Sequence, residues 1–281
     1  MSTTTLAEAI DTFAQAALCL PDAKLEQENW HWRAYTGVRM AFLQTYLELR
    51  ELATHIASER MVNGTAITSA QRILAQHHIA YRNLQGLLVG VGKDETELAP
   101  SEGEWPLRSV LPHIIDTERG FHALIHYALE RQRTGDGRPV EMSEETALAV
   151  YRLNDDDFYQ ESFEQMLAYY DELHQRILRD FAGMREEELS APSLWWEEEE
   201  LEIRFRMHRF DAHLREHTIQ VEKTLEGIGH HLTEVERHLR LIYEALGEVE
   251  GALIGAWDSN AEQQAALAGT IITRAHELEG V

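Results

Sequence analysis

The chain has 281 residues, 44% of them apolar, with 25 basic side chains against 49 acidic ones and a formal net charge of −24. That length suits one large helical domain, or one domain with helical additions at both ends, and the apolar share is enough for a core. The acidic excess repels phosphate backbones and argues against nucleic acid as a partner. The lone cysteine, Cys19, excludes an internal disulfide and a cysteine-based zinc knuckle.

The periodicity of apolar residues predicts helices near 6–19, 25–61, 69–91, 107–132, 144–182 (with a break near Asn154), 203–227, 233–255 and 260–278. Four of them open on a Ser or Thr followed three residues later by Glu or Gln: Thr5 and Glu8, Thr68 and Gln71, Thr233 and Glu236, Ser259 and Glu262. Each such pair satisfies two orphan amide donors at a helix start. Gly64, Gly183 and Gly229 close three of the segments. Residues 201–205 alternate briefly in polarity, but no strand pattern lasts long enough to build a sheet. The fold class is therefore all-α. The segment from 69 to 227 carries four long helices with extended connections, the arrangement of a four-helix bundle.

This reading divides the chain into an N-terminal helical extension (1–65), the bundle (66–229) and a C-terminal helical extension (230–281). The extensions are too amphipathic to stand alone in water. They must pack on the bundle, on each other or on a second chain, and a homodimer is the expected assembly. Cys19 lies among Ala16, Ala17, Leu18 and Leu20, which predicts a packed thiol. The single cysteine fits a reducing cytoplasm. The N-terminus has no basic stretch followed by an apolar core, and no apolar run approaches membrane-spanning length. A cytoplasmic protein without a membrane partner is expected. The Trp-Trp-Glu-Glu-Glu-Glu run at 195–200 reads as a solvated loop anchored by its tryptophans.

Two of the fifteen histidines' spacings carry chemistry, His122/His126 and His213/His217. Residues four apart on a helix share a face, so both imidazoles reach one ion. Chance alone supplies about one such pair at this histidine frequency. His217 lies roughly 50° from the centre of its helix's apolar stripe and His213 roughly 90°, a polar edge bordering a buried face. Surface exposure accounts adequately for His122 and His126. Geometry separates the two pairs only weakly.

The run His208-Arg-Phe-Asp-Ala-His213-Leu-Arg-Glu-His217-Thr-Ile-Gln220 resembles the fourth-helix motif of the DinB superfamily, His-x-x-x-His followed by Gln three residues on. The stretch from Glu104-Trp105-Pro106 to Pro112-His113 and on to Glu118 resembles the family's partner motif, a histidine early in the second bundle helix after a tryptophan-containing loop. The resemblance covers about 66–229. It implies a DinB-like four-helix bundle holding one divalent metal, zinc or alternatively nickel, on His113, His213 and His217. Three neutral imidazoles leave a position open for water or a substrate thiol. Asp211, Glu216 and Gln220 are candidates to orient the imidazole N–H groups.

Glu118, close to the centre of its apolar stripe, is expected buried against Arg209 or another arginine, with general-base work beside the metal as the sharper alternative. His77 and Tyr81 share a helix face, and the plainer account is a core tyrosine with a hydrogen-bonded histidine. Pro112 means that the second bundle helix either begins near Ser109 or kinks before His113. The resemblance further implies a thiol-dependent S-transferase or a metal-assisted hydrolase, acting on a small-molecule thiol and an electrophile. The competing reading is a non-catalytic binding or stress-related module whose outer helices mediate dimerisation.

Overall fold

A computed structural model describes residues 4–28, 30–32, 34–135, 137–143, 145–146, 161–195 and 199–281. Its described helices are α1 (Leu6–Leu18), α2 (Arg39–Val62), α3 (Ser69–Leu88), α4 (Leu107–Thr134), α5 (Phe163–Phe181), α6 (Ile203–Gly227), α7 (Glu234–Leu253) and α8 (Ala261–Leu278). Two short hairpins complete the description, β1 (His31–Trp32) with β2 (Tyr35–Thr36) and β3 (Pro192–Ser193) with β4 (Leu201–Glu202), both antiparallel. The fold is all-α. Among the described residues no helix is long and apolar enough to cross a membrane.

Three of the four expected capping pairs form. The Thr5 and Thr233 hydroxyls each accept from the amide three residues on, and Glu8 and Glu236 reach back to the capping amide. Thr68 and Gln71 do the same. The fourth does not. Asn260 adopts a left-handed conformation at φ 57° and becomes the residue before α8, displacing Ser259 from the cap. An unexpected pair, Ser162 with Gln165, starts α5 at Phe163. Of the helix read over 144–182, residues 145–146 and 163–181 are described as helix, and the break expected near Asn154 lies outside the described residues.

The helix expected over 25–61 begins only at Arg39. A 3₁₀ turn (Asp22–Lys24) and the β1–β2 hairpin occupy the preceding chain, and Gly37 stands at φ 92°, a conformation that breaks helical continuation. The aromatic residues of this stretch suit paired strands better than a helix interior.

The chain divides into two compact units. The first takes Met1–Ile67, His78–Val91 and His230–Val281; the second takes Thr68–His77 and Gly92–Gly229. The flanking segments read as separate extensions therefore share one unit, joined by residues 78–91. In it α1 packs on α8 and α2 on α7, around a core that includes Phe13, Phe42, Leu49, Ile242, Leu246 and Ile271. Phe13 and Phe42 meet edge to face with centroids 5.3 Å apart. Close approach of α3 to α7 requires glycine: a Cβ at Gly86 would lie 2.9 Å from the Arg240 Cα.

Several polar groups buried in this unit find partners. Arg60 donates through Nη1 to the carbonyls of Ala252 (2.7 Å) and Ile254 (2.9 Å), supplying the donors that the C-terminus of α7 lacks. Asp22 caps the other end of α7, accepting from the amides of Glu234 (2.9 Å) and Val235 (3.2 Å). Glu250 receives both Nε and Nη2 of Arg82 at 2.7 Å, and His78 Nε2 stands 2.8 Å away. The fully buried Arg274 pairs with Glu48 at 2.9 Å and also contacts Thr45.

In the second unit α4 packs on α5 and α6. The first turns of α3 join them through Gln71, whose Nε2 donates to the Ala182 carbonyl at 3.1 Å. The β3–β4 hairpin covers the end of α6, where the brief alternation at 201–205 contributes one strand before the helix begins. Trp195 anchors the acidic loop as expected, its ring so close to α4 that a Cβ at Gly120 would meet it at 2.8 Å. Residues 196–198 of that loop lie outside the described residues. Cys19 corrects the expectation of a packed thiol. It follows the last residue of α1 as its cap and is exposed, because the buried stripe of α1 ends with Ala17.

Candidate metal centre

α6 carries His213 and His217 one turn apart, so both rings leave the same face of the helix. Their Nε2 atoms stand 3.0 Å apart. His113 comes from α4, and its ring centroid lies 4.6 Å from that of His217 and 5.3 Å from that of His213. One ring nitrogen from each of the three lies within 4.8 Å of the others. α4 starts at Leu107, after Pro106, and runs through Pro112 without interruption. Neither a start at Ser109 nor a break turns His113 away.

The surroundings favour the neutral form of His113 and His213 and orient His217. His217 Nδ1 is 2.7 Å from Gln220 Oε1; an amide oxygen only accepts, so Nδ1 carries the proton and Nε2 presents its lone pair. Burial, then the neighbouring His217 and His113, then Arg209, push His213 down to about 3. His113 is also lowered, by burial first and then by His217, against the opposing pull of Asp116 and Glu216. Both are neutral imidazoles at neutral pH, the protonation state of a metal ligand. Buried His213 Nδ1 has no hydrogen-bond partner among the described residues.

A cavity of about 390 Å³ opens beside the rings. Trp105 walls one side, its ring edge-on to His113 at 5.5 Å. Glu104 and Lys223 also line it and pair with each other at 3.4 Å. His113 and His217 both reach this cavity, whereas His213 is buried behind them.

The remaining candidates scatter. Gln220 contacts His217 as expected of an orienting residue. Asp211 instead accepts from Arg215 Nε at 2.7 Å, and exposed Glu216 touches no ring but acts on His113 through its charge. Glu118 is fully buried, yet its partners are not arginines: Tyr170 donates to its Oε1 at 2.8 Å, and His77 Nε2 lies 3.4 Å from its Oε2. Arg209 sits over the Phe121 ring instead. Tyr81 is a core residue whose hydroxyl accepts from Gln85, while His77 has no hydrogen bond. His122 is not a surface residue; it is buried with Nε2 2.8 Å from Asp180 Oδ2, and only His126 is exposed.

Sequence reasoning missed Tyr170 and His174, which close around Glu118 from α5. Their signal was available: they stand four apart on the apolar face of α5, with Phe163, Met166 and Ile177.

Comparison with known families matches residues 76–221 to the DinB superfamily, a span that includes His113, His213 and His217. No curated protein and no solved structure gives a significant match. With more than half its length matched and three imidazoles gathered from its two motifs, the chain belongs to the DinB superfamily.

Proposed function

We propose that His113, His213 and His217 hold one divalent transition metal, zinc or alternatively nickel, and that the protein is a thiol-dependent S-transferase or a metal-assisted hydrolase. One observation carries the reading: the Nε2 atoms of His213 and His217 approach to 3.0 Å beside a third imidazole, with the Gln220 amide oxygen accepting from His217 Nδ1. Ring nitrogens of three histidines drawn from two helices and lying within 4.8 Å of one another suit a shared cation. When bound, a metal with an open position lowers the pKa of a thiol or water and supplies a nucleophile near neutral pH.

The chain's own residues do the rest. Gln220 fixes the plane of His217. Trp105 shields the His113 side of the cavity from water and offers an apolar wall to the electrophile. Lys223 brings a cation to the cavity rim, suited to a carboxylate of a small thiol, and Glu104 beside it is placed to receive a proton. Glu118 lies in a different pocket of side chains and takes no part in this proposal.

A binding module that dimerises through its outer helices draws less support, because the apolar faces of α1, α2, α7 and α8 are already buried in one another. Purified protein of measured metal content, assayed with small thiols and electrophiles beside His213→Ala, tests the enzyme reading. Turnover that disappears with the metal and with His213 supports it; equal turnover in the variant removes it.

A further inference from the structure

Between α3, α4 and α5 of the second unit, His77, Glu118 and His174 form a group whose three donor atoms lie within 4.8 Å of one another. All three side chains are fully buried. The His77 and His174 rings stand 4.6 Å apart, and Phe210 stacks on His77 at 5.1 Å from α6. None of these residues belongs to the three-histidine centre.

Two features are hard to account for by hydrogen bonding alone. Neither His77 nitrogen has a hydrogen-bond partner, and neither has Glu118 Oε2. Among the described residues no lysine or arginine pairs with Glu118; neighbouring Arg119 is engaged with Asp116 at 2.8 Å. His77 Nε2 is within ion-pair reach of Glu118 Oε2 at 3.4 Å but makes no hydrogen bond to it. Tyr170 supplies one neutral donor to the other oxygen, so the buried carboxylate has no permanently charged partner among the described residues. A cation at this place would compensate the charge and use the stranded lone pairs together.

We propose that His77, Glu118 and His174 form a second, buried site for a divalent transition cation. Two imidazoles and one carboxylate are a donor set that first-row divalent ions accept. Donors around one tetrahedral ion at about 2.1 Å sit roughly 3.4 Å from each other, and His77 Nε2 stands 3.4 Å from Glu118 Oε2. Tyr170 plays the outer role, holding Glu118 Oε1 so that Oε2 faces the histidines. With no solvent access the site is structural: it ties the first turns of α3 to α4 and α5, and its occupancy is independent of the three-histidine centre.

The test is metal stoichiometry on the full chain, produced in medium supplied with Zn²⁺ or Co²⁺, dialysed and measured by elemental analysis. The wild type is expected to retain two equivalents, His213→Ala/His217→Ala one, and Glu118→Gln one. In the histidine double variant, the Co²⁺-loaded form should also melt on the order of 5 °C above protein produced without added metal. One equivalent in the wild type and none in the histidine double variant overturns the proposal, as does a Glu118→Gln protein that keeps both equivalents. Should Glu118→Gln fail to fold, the count in the histidine double variant decides alone. The three-histidine reading fails on a different result, an unchanged count when His213 and His217 are removed.

Discussion

The two units differ in where their unsatisfied buried polar atoms gather. In the first, Arg60 ends on two carbonyls of α7, and Glu250 sits between Arg82 and His78. In the second, His77, Glu118 and His213 keep buried nitrogen or oxygen atoms without hydrogen bonds and stand in groups able to hold a metal, whereas Gln44 Oε1 of the first unit, also without a bond, stands in no such group among the described residues. Unsatisfied buried polar atoms are destabilising by about 1–3 kcal/mol each, so several close together call for a partner such as a bound ion. On the proposed reading, the second unit concentrates the lone pairs that hold metal.

The contrast breaks most directly in the first unit. Glu250→Ala would strand a buried guanidinium and a buried imidazole, and should destabilise the protein by about 3–5 kcal/mol in urea unfolding. A loss under ~1 kcal/mol would mean that the Arg82 cluster is not the tie it is described as. The same carboxylate makes a pH prediction. Burial pushes Glu250 up, but the Arg82 charge, with hydrogen bonds from His78 and Arg82, outweighs it and brings the group down to about 2. A carboxylate whose folded pKa is depressed stabilises the protein above its unfolded value, about 4.3, and loses that stabilisation as pH falls toward 2. The stability gap between wild type and Glu250→Gln should therefore be constant above pH 5 and shrink below about 4.

Gln220→Ala sharpens the other side. It should weaken metal binding by about 10–100-fold while leaving the unfolding midpoint of the metal-free protein within error, since Gln220 orients a ligand and supports no core. A change in stability with no change in affinity would reverse its role. The smallest effect belongs to Asp22→Ala, which removes a cap contributed to α7 from a distant part of the chain. A loss of about 1 kcal/mol is expected. Double substitution with Gln220→Ala should be additive, because the two residues share no partner.

Much of this was legible in the residues, and the failures have physical causes. The start and end of α6 at 203 and 227 followed from its apolar stripe and from the chain that precedes it. Thr5, Thr68 and Thr233 announced their helices because a cap is a local interaction. The β1–β2 hairpin was hidden because the apolar residues of 25–38 also fit a helical period, and Gly37, just after β2, is the one glycine to interrupt it. The motifs pointed to His113, His213 and His217, whose rings the fold brings together. Glu118 was placed in the interior by its position on the stripe, but its partners come from α3 and α5, and no local pattern names a residue 52 positions away. His122 was misplaced for the same reason: Asp180, which makes its burial tolerable, is remote in the chain.

The account rests on one cation shared by α4 and α6. Anomalous difference maps from crystals of the full-length protein, collected on both sides of the zinc and nickel edges, test it most directly. A peak within about 2.1 Å of one nitrogen from each of His113, His213 and His217, present above one edge and absent below it, is the predicted result. Protein that is metal-free by elemental analysis after production with Zn²⁺ and Ni²⁺, with no peak among those rings at either edge, would contradict it.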